Sequence, residues 1–272
     1  MPILPARLRL LLVGLHLLFG ALQVAILFRH ADESLRQRLK QVWSHQLVRL
    51  LGIRIESPGA LLSGMERGLL VGNHISFIDV FVINALLPSA FVAKSEVAQW
   101  PLIGWLARRA DTVFIERGSR KAAHLTHQHM LHALKTGRRL AIFPEGTTTA
   151  GEGVLPFHGA LFQSAIDAAV PVHAVALSYH RADGTRSEAP AYIGDIGLVD
   201  CLLTVLRTPG LTARLSLAGS FAPPLPDRRH LAHHCHQAVA RALTHAPDPR
   251  NRGAIPFSGP GQPSRNEAAI NQ

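Results

Sequence analysis

Residues 68–87 read GLLVGNHISFIDVFVINALL, and this stretch sets the fold class. Gly68 to Gly72 is a short apolar run of strand length. Phe77 to Leu87 carries a longer helical pattern, and a polar Asn73-His74-Ile75-Ser76 turn separates the two. A buried strand feeding a helix through a tight turn is the repeating unit of an α/β protein.

The same texture continues on both sides. Further short apolar runs predict strands at Ala90 to Ala93, Thr112 to Glu116, Arg139 to Phe143, Val172 to Leu177, Ala191 to Gly194 and Ala213 to Ala218. Helical patterns fall at Val97 to Arg109, Ser119 to Thr136, His158 to Ala169 and Asp227 to Thr244. The Ser119 helix has an N-cap serine and a Gly137 stop. The expected fold is α/β, a mixed and largely parallel central sheet flanked by helices. No internal repeat occurs. Beyond Ala246 the chain is Pro, Gly, Asn and Ser with almost no apolar clusters, so a disordered tail is expected.

The N-terminal third has a different character. Leu10 to Phe28 contains no acidic residue, Lys or Arg, and is bracketed by Arg7, Arg9 and Arg29. As a helix it reaches about 28 Å, close to the hydrocarbon thickness of a bilayer. A cleaved signal peptide fits less well, because the run is long and no small-x-small site follows, and a buried core helix is the other alternative. Ala31 to Leu51 then repeats apolar residues at three- and four-residue steps, with Arg36, Arg38, Lys40 and Arg49 opposite. That amphipathic basic pattern suits a membrane interface or a surface helix on a core. The expected organisation is a membrane-docking helix pair at 1–52, an α/β domain at 53–246 and a tail at 247–272.

Composition agrees with a membrane-associated protein. Hydrophobic residues make up 47% of the 272, rich for a soluble protein and too low for a polytopic one. Lys and Arg number 28 against 18 Asp and Glu, a net charge of +10 that suits an anionic membrane or nucleic acid. No nucleic-acid recognition motif or basic-aromatic interleaving is present, so nucleic acid is not an expected partner. The two cysteines, Cys201 and Cys235, have no paired spacing and fit a reducing compartment. The sixteen histidines include runs at His124 to His132 and His230 to His236, on faces shared with Arg, Gln and Ala. A solvated polar face explains them better than a metal site. No G-x-S-x-G nucleophile elbow occurs.

Three segments place reactive groups at strand ends, where sites collect in α/β folds. In the first, His74 and Asp79 are five apart across the strand-to-helix junction. A carboxylate accepting from one imidazole nitrogen fixes the tautomer and leaves the other as a general base. H-x4-D alone is degenerate, and a capping His with a helix-face Asp is the plain alternative. In the second, the strand Ala141 to Phe143 ends in Pro144-Glu145-Gly146 and three threonines. Gly146 lets backbone approach a ligand, and Thr147 and Thr148 offer donors to an anion. In the third, Ile115-Glu116-Arg117-Gly118 puts Arg117 between a strand end and a helix start, where a phosphate or an ion pair would suit it.

Taken together, N-H-x4-D, then I-E-R-G, then F-P-E-G-T, in that order within about 75 residues, resemble the glycerolipid acyltransferase family. Val170-Pro171-Val172-His173 looks like that family's fourth block. Lys94 in F-V-A-K-S-E, and Pro101 with Gly104, are smaller agreements. The resemblance implies that His74, oriented by Asp79, deprotonates a lysolipid hydroxyl. The alkoxide would attack the thioester of acyl-CoA or acyl-acyl carrier protein, with no acyl-enzyme, no metal and no cofactor. Backbone amides would stabilise the oxyanion, worth up to several kcal/mol. It also implies that Arg117, Glu145, Gly146, Thr147 and Thr148 meet the acceptor head group, with Asn73, Ser76, Lys94 and Pro171 supporting. The cytosolic donors place the site on the cytoplasmic side of the inner membrane.

By that resemblance the reaction is 1-acylglycerol-3-phosphate to phosphatidic acid. One residue departs: the phosphatidate-forming branch usually reads F-P-E-G-T-R-S, and Thr148 stands where that Arg would be. A lost guanidinium removes a bidentate phosphate contact. Lyso-ornithine lipid is therefore the alternative acceptor, and a non-catalytic lipid-binding protein on the same fold is a further alternative.

Overall fold

The protein is described by a computed structural model covering residues 5–58, 65, 67–115 and 119–244. The expected tail at 247–272 lies outside the described residues.

In chain order the elements are α1 (Ala6–Ile26), α2 (Glu33–Leu50), β1 (Arg54–Glu56), β2 (Gly68–Gly72), α3 (Ile78–Leu86), β3 (Ala90–Lys94), α4 (Ile103–Arg109) and β4 (Val113–Ile115). They continue with α5 (Arg120–Lys135), β5 (Arg139–Ile142), α6 (Gln163–Ala168), β6 (Val172–His180), α7 (Leu198–Arg207), β7 (Thr212–Phe221) and α8 (Arg228–Thr244). The strands form one seven-stranded sheet in the order β1-β7-β6-β2-β5-β3-β4. Every pairing is parallel except β6 with β7. The sheet is therefore mixed and largely parallel.

Strand β2 sits between β5 and β6, and each of its residues is buried. Its side chains alternate, as a strand's must. Leu70 joins α2, α3 and α7 in one core through Leu47, Ile78, Val82 and Val205. Leu69 and Val71 join the other core with Met130 and Leu134 of α5, Phe162 and Val239 of α8. Burial on both faces explains the unbroken apolar run, because no side of the strand meets water.

Local signals set several boundaries. Ser119 accepts from the Ala122 amide at 3.0 Å and starts α5, and Gly137 follows its end at φ +80°. Asp32 caps α2 by accepting from Leu35 N at 2.8 Å.

The structure corrects three of the expected elements and adds two. The helix expected over Val97–Arg109 is a 3-10 turn, Ser95–Gln99, followed by α4. Pro101 disfavours helical geometry at the residue before it, and Trp100 is extended at φ −70°, ψ 125°. The helix expected over His158–Ala169 likewise opens with a 3-10 turn, Gly159–Phe162, before α6. Ala191 to Gly194 forms no strand; it is a loop whose Tyr192 amide donates to Ile75 O at 3.0 Å. Elements β1 and α7 appear where neither was expected. β1 has three residues, too few for a periodic signal.

Helix α1 packs along α2 and α7. His16 Nε2 bonds Trp43 O at 3.0 Å, and Trp43 Nε1 returns a bond to His16 O at 3.2 Å. Gly20 makes room for that indole, since a Cβ there would lie 2.3 Å from Trp43 Nε1. Arg9 donates to Leu50 O at the end of α2 and to Leu206 O near the end of α7. A cation at two helix C-termini is favourably placed. The other side of α1 exposes Leu11, Leu15, Leu18 and Leu22, a stripe at helical spacing.

Candidate active site

The parallel strands β2 and β5 end side by side, and the loops leaving them build one site. Asn73 first continues the ladder with its side chain. Its Nδ2 donates to Leu177 O at 2.9 Å and its Oδ1 accepts from Leu177 N at 2.8 Å. The amide thus stands in for a strand residue against β6 and fixes where the turn begins.

His74 comes next, with its ring one-fifth exposed. Its Nδ1 lies 2.9 Å from Asp79 Oδ2. The same oxygen accepts from Ile75 N at 2.7 Å and Ser76 N at 2.9 Å. Asp79, in the first turn of α3, is fully buried and pulls the whole turn onto the helix start. A carboxylate is well placed at that positive helix end. Since Oδ2 acts as an acceptor, Nδ1 carries the ring proton and Nε2 presents its lone pair. Nε2 has no partner among the described residues. Phe143 lies flat against the imidazole, with centroids 4.0 Å apart and planes within 4°.

The loop after β5 closes over the His74 backbone. Glu145 is buried, and its two oxygens accept from His74 N at 2.7 Å and Leu155 N at 2.8 Å. Burial pushes its carboxyl above the usual range, against the pull of those two amides. Gly146 takes φ +71°, a left-handed turn that favours glycine. Thr148 donates its hydroxyl to Tyr192 O. Thr149 N donates to His74 O at 2.9 Å. The result is an oriented imidazole with one free nitrogen, held by two loops and a helix start.

Residues 54–178 match the family described as Acyltransferase. The chain is 40% identical over 261 residues to a lyso-ornithine lipid O-acyltransferase of Pseudomonas aeruginosa, spanning 92% of this chain and 100% of that one. The chain belongs to the Acyltransferase family.

A second relative, the 1-acyl-sn-glycerol-3-phosphate acyltransferase of Neisseria meningitidis serogroup B, is 42% identical over 147 residues, 54% of this chain and 57% of that one. Among solved structures, the 1-acyl-sn-glycerophosphate (LPA) acyltransferase PlsC of Thermotoga maritima aligns over 92% of this chain and 100% of its own, with TM-score 0.65 at 20% identity. That likeness supports the fold.

Within this acyltransferase, the expected site residues fall into groups. His74, Asp79, Asn73, Ser76, Glu145, Gly146, Thr147 and Thr148 come together at the ends of β2 and β5. Ser76 is buried, and its hydroxyl accepts from Ile78 N at 3.3 Å. Thr147 is exposed, whereas Glu145 and Thr148 turn inward. Lys94 ends β3, one strand beyond β5, and is exposed. Pro171 sits at the opposite end of the strands, just before β6, where its carbonyl accepts from Leu69 N at 2.9 Å. It sets the β2–β6 register from about 15 Å away. Arg117 lies outside the described residues.

Tyr179, Tyr192 and the stacking role of Phe143 were not visible in the sequence. Tyr179 donates its hydroxyl to Asp79 Oδ1 at 2.8 Å across 100 residues of chain. No local signal carries such a contact. Within the histidine runs, His127 pairs with Asp167, His230 with Asp227, His233 with Gln237, and His236 with the Val154 carbonyl.

Proposed function

We propose that this acyltransferase moves a fatty acyl group from the thioester of acyl-CoA or acyl-acyl carrier protein to the hydroxyl of lyso-ornithine lipid. The observation that carries the chemistry is the His74 Nδ1–Asp79 Oδ2 bond, which leaves Nε2 as a base. His74 Nε2 takes the acceptor's hydroxyl proton as its oxygen attacks the thioester carbonyl. A tetrahedral oxyanion forms, the C–S bond breaks, and the imidazolium returns the proton to the leaving thiolate. No protein nucleophile is needed.

Two observations support the acceptor. The lyso-ornithine relative aligns over its full length, whereas the Neisseria 1-acylglycerol-3-phosphate enzyme aligns over little more than half. Thr148 also commits its hydroxyl to Tyr192 O, so this position supplies no cation for a phosphomonoester.

The membrane supplies the acceptor. Helix α1 is 21 residues long and only 17% of its apolar window is buried. Yet mid-helix His16 and Arg9 are tied to α2 and α7. A helix held along its length against the domain suits insertion of the Leu11–Leu22 stripe into one leaflet better than a full crossing. The cytosolic donors favour the cytoplasmic face of the inner membrane.

The test is acyl transfer in mixed micelles, with labelled oleoyl-CoA and oleoyl-acyl carrier protein as donors. Lyso-ornithine lipid and lysophosphatidic acid are offered in parallel, with His74→Ala as control. Transfer to lyso-ornithine lipid that vanishes in His74→Ala is the expected result. Transfer to lysophosphatidic acid alone would overturn the acceptor assignment. Undiminished transfer by His74→Ala would overturn the mechanism, and a folded protein without transfer to either would favour a lipid-binding role.

A further inference from the structure

Asp79 distributes its hydrogen bonds unevenly. Oδ2 accepts three, from His74 Nδ1, Ile75 N and Ser76 N. The donor to Oδ1 is the Tyr179 hydroxyl, at 2.8 Å. Tyr179 reaches this point because β6 outruns β2. Gly72 pairs with Val175, and the strand continues to His180, carrying Leu177 and Tyr179 onto the α3 face. Tyr179 is itself 2% exposed, so no water replaces it.

We infer that Tyr179 is a positioning residue for acyl transfer, tuning the base strength of His74 through Asp79. The inference rests on the general-base reading of His74. A phenol donating to Oδ1 draws negative charge away from Oδ2 and weakens the carboxylate's hold on the imidazolium that forms in the reaction. The Asp-His bond is then looser than in an Asp-His pair alone. Burial and the Asp79 charge push the Tyr179 phenol well above its ordinary range, so it remains a donor throughout. The phenol also satisfies an oxygen that would otherwise be buried without a partner, a costly state for a charged group.

Tyr179→Phe removes the hydroxyl and keeps the ring. The acidic limb of the pH–rate profile for transfer from oleoyl-CoA to lyso-ornithine lipid should move to higher pH, on the order of half a unit. KM for the acceptor should stay unchanged, because Tyr179 does not touch substrate. In proton NMR of histidine-labelled protein, the His74 Nδ1–H resonance, assigned by its loss in His74→Ala, should move downfield as the Asp-His bond tightens. Should Tyr179→Phe not fold, fluorotyrosine incorporation gives a stronger donor at 179 and moves the limb to lower pH. Tyr192, the other tyrosine, meets the site through its backbone. A profile and a resonance that both coincide with wild type would overturn the inference. The NMR readout needs no turnover, so it separates this failure from a failure of the catalytic reading, which His74→Ala activity tests.

Discussion

Removing the Asn73 side chain should loosen the site more than its size suggests. Its amide makes two bonds, 2.9 and 2.8 Å, to the backbone of Leu177, and both partners are buried. Asn73→Ala leaves one buried N–H and one buried C=O unpaired. At about 1–3 kcal/mol for each such group, partly relieved by water in the space created, the cost is about 2–4 kcal/mol. For a chain of this size that lowers Tm by roughly 5–15 °C. Asn73→Asp sharpens the reasoning. Its carboxylate keeps the bond from Leu177 N but turns a second oxygen toward Leu177 O, where charge and carbonyl repel. Protonation restores both bonds, because the acid O–H can donate to Leu177 O. The folded protein therefore raises the carboxyl of that variant above its unfolded value. The associated stability is fully present below the unfolded value and is lost as pH rises through the folded one. Thermal melts in detergent, run in parallel with wild type from pH 4 to 8, measure both effects. The Asn73→Ala deficit should be constant with pH, and the Asn73→Asp deficit should shrink on acidification. An Asn73→Ala loss below about 0.5 kcal/mol, or an Asn73→Asp deficit that shrinks as pH rises, would refute the assignment of Asn73 as a substitute strand residue.

Three further expectations are independent of it. Glu145→Gln keeps the shape but offers one acceptor oxygen to two amides, His74 N and Leu155 N. It should cost about 1–3 kcal/mol and slow transfer by displacing the His74 turn; a melt and rate equal to wild type would count against that role. Burial pushes the Cys235 thiol up to about 12 and Cys201 upward as well, which disfavours the thiolate in both. Native protein should accordingly show no reaction with a disulfide reagent at pH 8, and both thiols should appear after denaturation; rapid native labelling would contradict the buried placement. Gly20→Leu drives a side chain into Trp43 and breaks the reciprocal His16–Trp43 bonds. It should destabilise by about 1–3 kcal/mol, and an unchanged melt would mean that α1 is not docked there.

Much of this protein is written in short-range terms. The apolar run of Gly68–Gly72, the Ser119 cap and the H-x4-D spacing are local features, and each maps onto a local structure: β2, the start of α5, and a carboxylate folded back on its own turn. The break in the helix expected over Val97–Arg109 was legible in principle, since Pro101 carries its own steric rule. Elements β1 and α7, and the loop at Ala191–Gly194, were not. β1 is a strand only because β7 lies beside it, and residues 191–194 pass beside the site instead of joining a ladder. Whether an apolar tetrapeptide pairs depends on what the fold brings to its edge.

The sequence by itself determined the α/β class, the pairing of His74 with Asp79, and the family. Those rest on periodicity and on residues within one turn of each other, where chain geometry leaves few choices. Only the tertiary structure decided the roles of the surrounding residues. Glu145 and Thr148, which look like head-group ligands in a linear motif, direct their oxygens to His74 N, Leu155 N and Tyr192 O. Pro171, next to an apolar run, anchors the far end of β2 against the start of β6. Tyr179 becomes part of the site because parallel pairing with β2 places β6 beside it and lets it run on past β2 toward Asp79. The physical reason is the same in each case: a buried polar atom must find a partner, and which partner lies within 3 Å is settled by strand order and register, which no local pattern encodes.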